Sequence, residues 1–254
     1  MMKLSAVVIT FNEEKNIERF LNSVNDIADE IIVVDSFSTD RTQEIAERFD
    51  KVRFVRHPFE GYGMQKNFAL SRCKGKWILF PDADEIVDET AKNSIRSIIS
   101  GTAGAEVYEI EFNNILLGKH LKYGGWGSTF RERFFRNGHG KYSDDRVHEK
   151  FLGTGTKAIL EGRISHYTYS SITQHVDKIN RYSDLMADKY AAGGKKVSVL
   201  KIVFSPYFTF LKNYLFKLGF LDGLTGFYAA VTTSYYSLLK YLKLHEKLKS
   251  KSSS

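Results

Sequence analysis

Across the first hundred residues, short apolar β-branched runs alternate with segments of helical periodicity. No other feature narrows the fold as much. The runs are Leu4–Thr10, Glu30–Asp35 (E-I-I-V-V-D), Val52–Arg56 and residues 76–80 (K-W-I-L-F), the last stopped by Pro81. Between them, residues 16–24 set Ile17, Phe20, Leu21 and Val24 on one helical face. Residues 39–49 do the same with Ile45, Ala46 and Phe49, and residues 62–73 read as a third helix. Buried strands separated by helices predict an α/β fold with a mostly parallel central sheet sandwiched by helices. Crossovers in such a sheet are right-handed, so few topologies remain.

After Gly101 the texture changes. Residues 107–112 alternate apolar side chains with glutamates, the pattern of a half-exposed strand. Residues 118–155 are rich in glycine, arginine and aromatics with weak periodicity, which predicts loops and short strands around a site. Lys157–Tyr169 has room for a strand pair. From Ser171 the chain reads as helix: Ile172–Ala192 is amphipathic, and residues 197–221 and 224–248 mix apolar and aromatic residues with lysines. Neither reaches the ~20 uncharged apolar residues of a membrane span, and lysine and tyrosine beside apolar residues suit an interfacial helix. The expected organisation is an α/β half (1–105), a second half of the same domain (106–171) and a helical extension (172–254).

The chain has 254 residues, 43% hydrophobic and 26% charged, which excludes a disordered or collagen-like polymer. One cysteine excludes an internal disulfide and a multi-cysteine zinc site. The net charge of +7 is uneven: from Lys195 onward there are ten lysines against Asp222 and Glu246, while the rest of the chain is nearly neutral. A basic, aromatic extension on a neutral body points to a surface-binding appendage, with an anionic membrane as the expected partner and a partner subunit or a helical cap on the core as alternatives. The start shows no secretory pattern, and the free Cys73 agrees with a reducing compartment. The expected location is cytoplasmic, peripheral on the inner face of the cytoplasmic membrane.

Ligands of parallel α/β sheets bind beyond the carboxyl ends of the strands. Beyond the first run stand Thr10, Phe11, Asn12 and Glu13; beyond the second, Asp35; beyond the fourth, Asp82-Ala83-Asp84. Two carboxylates separated by one small residue can hold Mg²⁺ or Mn²⁺, with diphosphate oxygens completing the shell. Acids also cap helices. The place of this pair beside acids at two neighbouring strand ends favours the metal.

At these residues the chain resembles a known family. V-V-I-T-F-N-E-E, E-I-I-V-V-D-S-F-S-T-D-R-T and K-G-K-W-I-L-F-P-D-A-D-E are similar, in order and separation, to the nucleotide half of family 2 glycosyltransferases of the GT-A fold. V-H-E at 147–149 and the basic aromatic C-terminus resemble the bacterial subgroup that builds lipopolysaccharide core. The resemblance implies inverting transfer of a sugar from a nucleotide diphosphate, such as UDP-glucose, to a lipid-linked saccharide with Mg²⁺ or Mn²⁺. It implies that Thr10, Phe11, Asn12, Glu13 and Asp35 surround the nucleoside. Asp82 and Ala83 would meet the ribose, and Asp84, with Asp82, the metal. Lys66 matches a position that is often arginine and would reach the base or diphosphate; its plain alternative is a solvated helix lysine.

An inverting transfer needs a base opposite the leaving diphosphate. Glu149 and Asp145 are the main candidates, with Asp144 and Glu132 behind them. His148 is a candidate metal or phosphate ligand, or a structural histidine. Trp126, in Gly124-Gly125-Trp126-Gly127, could stack on a sugar or pack in a turn. Arg131 and Arg133 share a strand face and could meet diphosphate or acceptor anions, or simply be solvated. The remaining histidines, His166 among them, show no metal-ligand spacing. The lack of Q-x-x-R-W favours transfer of a single sugar over polymerisation. A nucleotidyltransferase would carry a glycine-rich basic loop in place of F-N-E-E. The arginine-free tail and missing recognition module argue against nucleic acid.

Overall fold

A computed structural model describes residues 2–101, 104–143, 149–169 and 171–252. The chain forms two compact units, residues 1–112 with 129–166 and residues 113–128 with 167–254.

The first unit begins β1 (Leu4–Thr10), α1 (Ile17–Val24), β2 (Glu30–Asp35), α2 (Thr42–Ala46), β3 (Val52–Arg56), α3 (Tyr62–Leu70) and β4 (Trp77–Leu79). β1 lies between β2 and β4, and β2 beside β3, all in parallel. Successive side chains of β1 and β2 enter opposite layers. Ala6, Val8, Ile31 and Val33 pack with Phe20 and Leu21 on one face. Val7, Ile32 and Val34 pack with Ala69 and Phe80 on the other. Burial on both faces is why these strands read as unbroken apolar runs. α2 is shorter than the sequence pattern because the residues before it are bonded elsewhere. Thr39 N–H donates to Asn12 Oδ1 at 2.9 Å and Asp40 accepts from Glu14 N–H at 3.0 Å.

The chain continues through β5 (Glu85–Val87), α4 (Glu89–Ser100), β6 (Val107–Leu116), β7 (Lys119–Leu121), β8 (Thr129–Arg136), β9 (Gly140–Tyr142), β10 (Phe151–Gly153) and β11 (Lys157–Tyr169). Among the described residues the main sheet runs β3-β2-β1-β4-β8-β6-β11-β5, with β7 on β6 and a separate β9–β10 pair. It is parallel through β4. β8 then pairs antiparallel with β4 and β6, and β5 antiparallel with β11. Lys157–Tyr169 is one thirteen-residue strand rather than a pair; it lies between β6 and the three-residue β5, which is too short to leave a periodic signal.

In the second unit follow α5 (Ile172–Ala192), α6 (Val199–Leu211), two short helical turns and α7 (Gly223–Ser252). Ser171 and Ser198 cap α5 and α6 through their side chains. α6 lies on α7 through Ser205 and Ser237, whose hydroxyls are 2.6 Å apart, and through Ser234, which donates to the Pro206 carbonyl at 2.6 Å. No helix among the described residues is long and apolar enough to cross a membrane.

Candidate active site

The parallel register sets Thr10 beside Asp35, so the ends of β1 and β2 open on one edge. Asp35 is buried. Its carboxylate accepts from Thr10 Oγ1 at 2.8 Å, from Ser38 N–H at 2.7 Å and from Ser38 Oγ at 2.5 Å. Asn12 and Phe37 hold left-handed φ values of 56° and 60°, which non-glycine residues adopt only when their surroundings fix them. Asn12 is fixed by its amide N–H on Ser38 Oγ at 2.8 Å. Glu13 has its N–H on Thr42 Oγ1 and its carboxylate on Asn16. Phe11 stays 60% exposed. The two loops thus frame an acceptor carboxylate beside exposed aromatic surface.

Beyond β4 the chain makes a tight turn: Asp82 N–H donates to Glu85 Oε2 at 2.9 Å and Glu85 N–H to the Asp82 carbonyl at 3.0 Å. Ala83 packs in the core. Arg133 reaches this turn from β8. Tyr108 pairs with Phe134 but Glu109 with Glu132, so Arg133 is the extra residue of a β-bulge; bulges re-aim side chains in this way. The buried guanidinium holds Glu85 at 2.7 and 2.9 Å and Asp82 Oδ2 at 2.7 Å. Arg131 shares its face, with both guanidinium groups over Phe112.

Lys66 is buried on α3, not solvated. Its Nζ lies 3.2 Å from Asp82 Oδ1 and 2.9 Å from Glu149 Oε1. Burial opposes its charge most strongly, but Asp82, Tyr142 and Glu149 together outweigh it and raise the lysine above its ordinary range. Burial likewise opposes the Asp82 charge, and Arg133 and Lys66 together hold that carboxyl well below the ordinary range. The neighbours of Lys66 are also engaged: Gln65 donates to Ser36 and Asn67 exchanges hydrogen bonds with the Tyr142 backbone. The Tyr142 hydroxyl is buried without a hydrogen-bond partner among the described residues, and its ring lies 5.0 Å from Lys66 Nζ.

Asp84 turns the other way, toward β11. The antiparallel register sets His166 opposite Glu85, and His166 Nε2 stands 3.4 Å from Asp84 Oδ2. Asp84, Glu85 and His166 offer three ligand atoms within 4.8 Å of one another. Carboxylate oxygen with imidazole nitrogen is a donor set that suits Mn²⁺, so these residues fit a divalent cation. Both oxygens of Asp82 are already held by Lys66 and Arg133, and both of Glu85 by Arg133, which leaves Asp84 and His166 as the ligands most open to a cation. Burial works against a charged His166, but the bond and charge of Asp84 prevail and raise it above an ordinary histidine.

The structure therefore gathers Asp82, Asp84, Lys66, Arg133 and Glu149 into one charged network and joins Arg131 to it, 3.7 Å from Glu85. His166, Glu85 and Tyr142 belong to it without a sequence signal beyond their polarity inside strands. Asp144, Asp145 and His148 lie outside the described residues. Trp126 belongs to the second unit, half-buried. Its loop needs glycines because a Cβ at Gly125 would meet Asn213 Oδ1 at 2.6 Å and one at Gly127 the Lys122 carbonyl at 2.8 Å.

The profile described as Glycosyl transferase family 2 matches residues 5–142. The lipopolysaccharide core biosynthesis glycosyltransferase LpsC of Rhizobium meliloti (strain 1021) is 30% identical, across 97% of this chain and 93% of LpsC. The chain belongs to glycosyltransferase family 2. An uncharacterised glycosyltransferase of Rickettsia typhi, RT0209, is 33% identical across 97% of this chain and 88% of its own. Among solved structures, S. aureus TarS 1–349 in complex with UDP-GlcNAc superimposes with a TM-score of 0.50 at 14% identity, covering 98% of this chain and 92% of TarS 1–349. The family and GT-A fold implied by the three N-terminal motifs are those of the protein. In this family 2 enzyme Asp35 and the acids of the β4 turn stand at the carboxyl ends of the two parallel strands that flank β1.

Proposed function

We propose that this glycosyltransferase moves a hexose, glucose, with inversion from a UDP-sugar to a lipid-linked saccharide of the lipopolysaccharide core, at the inner face of the cytoplasmic membrane. The observation that carries the reading is the charged network at the β4 turn, one sheet edge with the Asp35 pocket. A buried carboxylate accepts hydrogen bonds and so selects a base with an N–H edge, as uracil has. Asp84 and His166 hold a divalent cation, whose chemistry when bound is to neutralise charge on the departing diphosphate. Lys66 and Arg133 fix Asp82 for the ribose. The similarity to LpsC over nearly the whole chain supports the acceptor class, and the exposed Leu200, Phe204 and Phe208 of α6 support a membrane location.

Glu149 acts as the base. Lys66 spans it and Asp82, which supports a place for its carboxylate at the reacting end of the donor. It takes the proton of the acceptor hydroxyl as that oxygen attacks the anomeric carbon and the diphosphate leaves. A nearby carboxylate also stabilises oxocarbenium character. The test is UDP-glucose turnover on isolated core acceptor with Mn²⁺. Asp84→Ala and His166→Ala should abolish transfer and weaken Mn²⁺-dependent UDP binding by at least about tenfold. Glu149→Gln should stop transfer and spare UDP binding; if Asp145→Asn does so instead, the base is Asp145. Turnover unchanged by Asp84→Ala would remove the metal reading.

A further inference from the structure

The second unit holds a cavity of about 290 Å³, at the small end of ligand sites. Four aromatic side chains line it: Trp126, Tyr169, Tyr182 and Tyr236. The indole is held in place, with Nε1 donating to Thr233 Oγ1 at 3.2 Å and the Trp126 carbonyl accepting from Asn114 at 2.9 Å. His175 stacks on Tyr169 with 4.2 Å between centroids and meets Trp126 edge-on. Its Nδ1 lies 2.9 Å from the Tyr228 hydroxyl. Burial, helped by Lys178, lowers this histidine to about 4, so the ring is neutral at pH 7. One charge remains. Lys178 Nζ stands 5.1 Å from the Tyr169 ring centre and 5.6 Å from that of Tyr182. No carboxylate lines the cavity, and Lys178 has no ion pair among the described residues.

We propose that this cavity is a binding site for one acidic sugar residue of the acceptor, its ring against Trp126 and the tyrosines and its carboxylate or phosphate on Lys178. The proposal rests on the saccharide-acceptor reading. Aromatic faces cover the C–H face of a pyranose. A lone ammonium among π faces is stabilised there by the rings and left available for an anion. A cationic ligand would be repelled, and a purely apolar one would strand Lys178.

The test is ¹⁹F NMR of the full chain labelled with 5-fluorotryptophan. The sequence has two tryptophans, and Trp126→Phe assigns the signals. Methyl glucuronide should shift the Trp126 resonance saturably and leave Trp77 unmoved. Methyl glucoside should bind about tenfold more weakly, and Lys178→Gln should erase that difference while Lys178→Arg restores it. The titration needs no donor and should persist in Asp84→Ala, so a failure here is separable from failure of the donor site. Equal binding of both glycosides, binding unaltered by Lys178→Gln, inorganic phosphate or UMP binding as tightly as the glucuronide, or no shift at all would each overturn the proposal.

Discussion

Lys66 is the residue on which two carboxylates depend. Replacing it with methionine removes the cation that Glu149 and Asp82 share and leaves Asp82 with Arg133 alone. Because the Asp82 side chain is 34% exposed, the cost should fall below the ~3–5 kcal/mol of a fully buried pair, at about 2 kcal/mol in chemical denaturation. Transfer should drop at least about a hundredfold, as when a preorganised charge is lost. Lys66→Arg keeps the charge and should recover most of both losses. His175 gives a second outcome at this scale. Free in the unfolded chain it titrates near 6.5, and folded near about 4. Between those values the unfolded chain binds the extra proton, so this stabilisation is complete above pH 6.5 and is lost as pH falls toward 4. The groups facing the ring are Lys178, Tyr228, Tyr169 and Trp126. In thermal unfolding from pH 7 to 4, the wild-type Tm should fall more steeply than that of His175→Phe; parallel curves would remove this role. Asp35, Asp82 and Asp84 were legible in the sequence because strand ends place them, and Lys66 only through the family resemblance. His166 was not, because its partner is set by the register of a three-residue strand. Arg133 was legible as a charge on a strand face, but a bulge, which leaves no mark in hydropathy, aims it at Asp82.

At the scale of elements, β5 and β11 decide whether Asp84 and His166 meet. The pair is steadied by Asp88, which caps α4 by accepting from Ala91 N–H at 2.7 Å and donates its own N–H to the Arg163 carbonyl at 3.0 Å. Gly162 lies against this cap. Its φ is +112°, and a Cβ there would collide with the backbone nitrogen of Ala91. Gly162→Ala should therefore cost about 3 kcal/mol, combining backbone strain with overpacking. It should also weaken Mn²⁺ binding by displacing β11, whereas Gly138→Ala, with open space around it, should leave Mn²⁺ binding intact. β1 and β2 could be read residue by residue because burial on both faces makes their runs continuous, and β3, a half-buried edge strand, because its apolar residues are interleaved with arginines. β5 and the extent of β6 could not, since partners far along the chain, not local pattern, set their limits.

At the scale of the molecule, apolar surface and charge occur together where neither is needed for folding. α6 buries Ile202 against α7 and leaves Leu200, Phe204 and Phe208 69%, 61% and 66% exposed. With Val203, Tyr207 and Leu211 they form one stripe at helical spacing, continued by Leu215 and Phe216 in the following turn. A helix facing water carries the reverse pattern. Lys196, Lys201, Lys212 and Lys217 are exposed in the same segment, and each lysine near an anionic leaflet contributes ~1 kcal/mol. Apolar side chains flanked by lysines, on helices too polar to span, fit a bilayer interface. The purified protein should float with vesicles containing anionic phosphatidylglycerol and much less with neutral ones, and high salt should reduce binding without abolishing it. Phe204→Ser with Phe208→Ser removes two buried aromatic side chains from the bilayer, ~3–6 kcal/mol at full insertion, and should bring the protein off the vesicles while its Tm stays within about 2 °C, since exposed side chains contribute little to folding. If that double variant still floats, the stripe faces a partner other than lipid and the lysines alone hold the protein to the membrane.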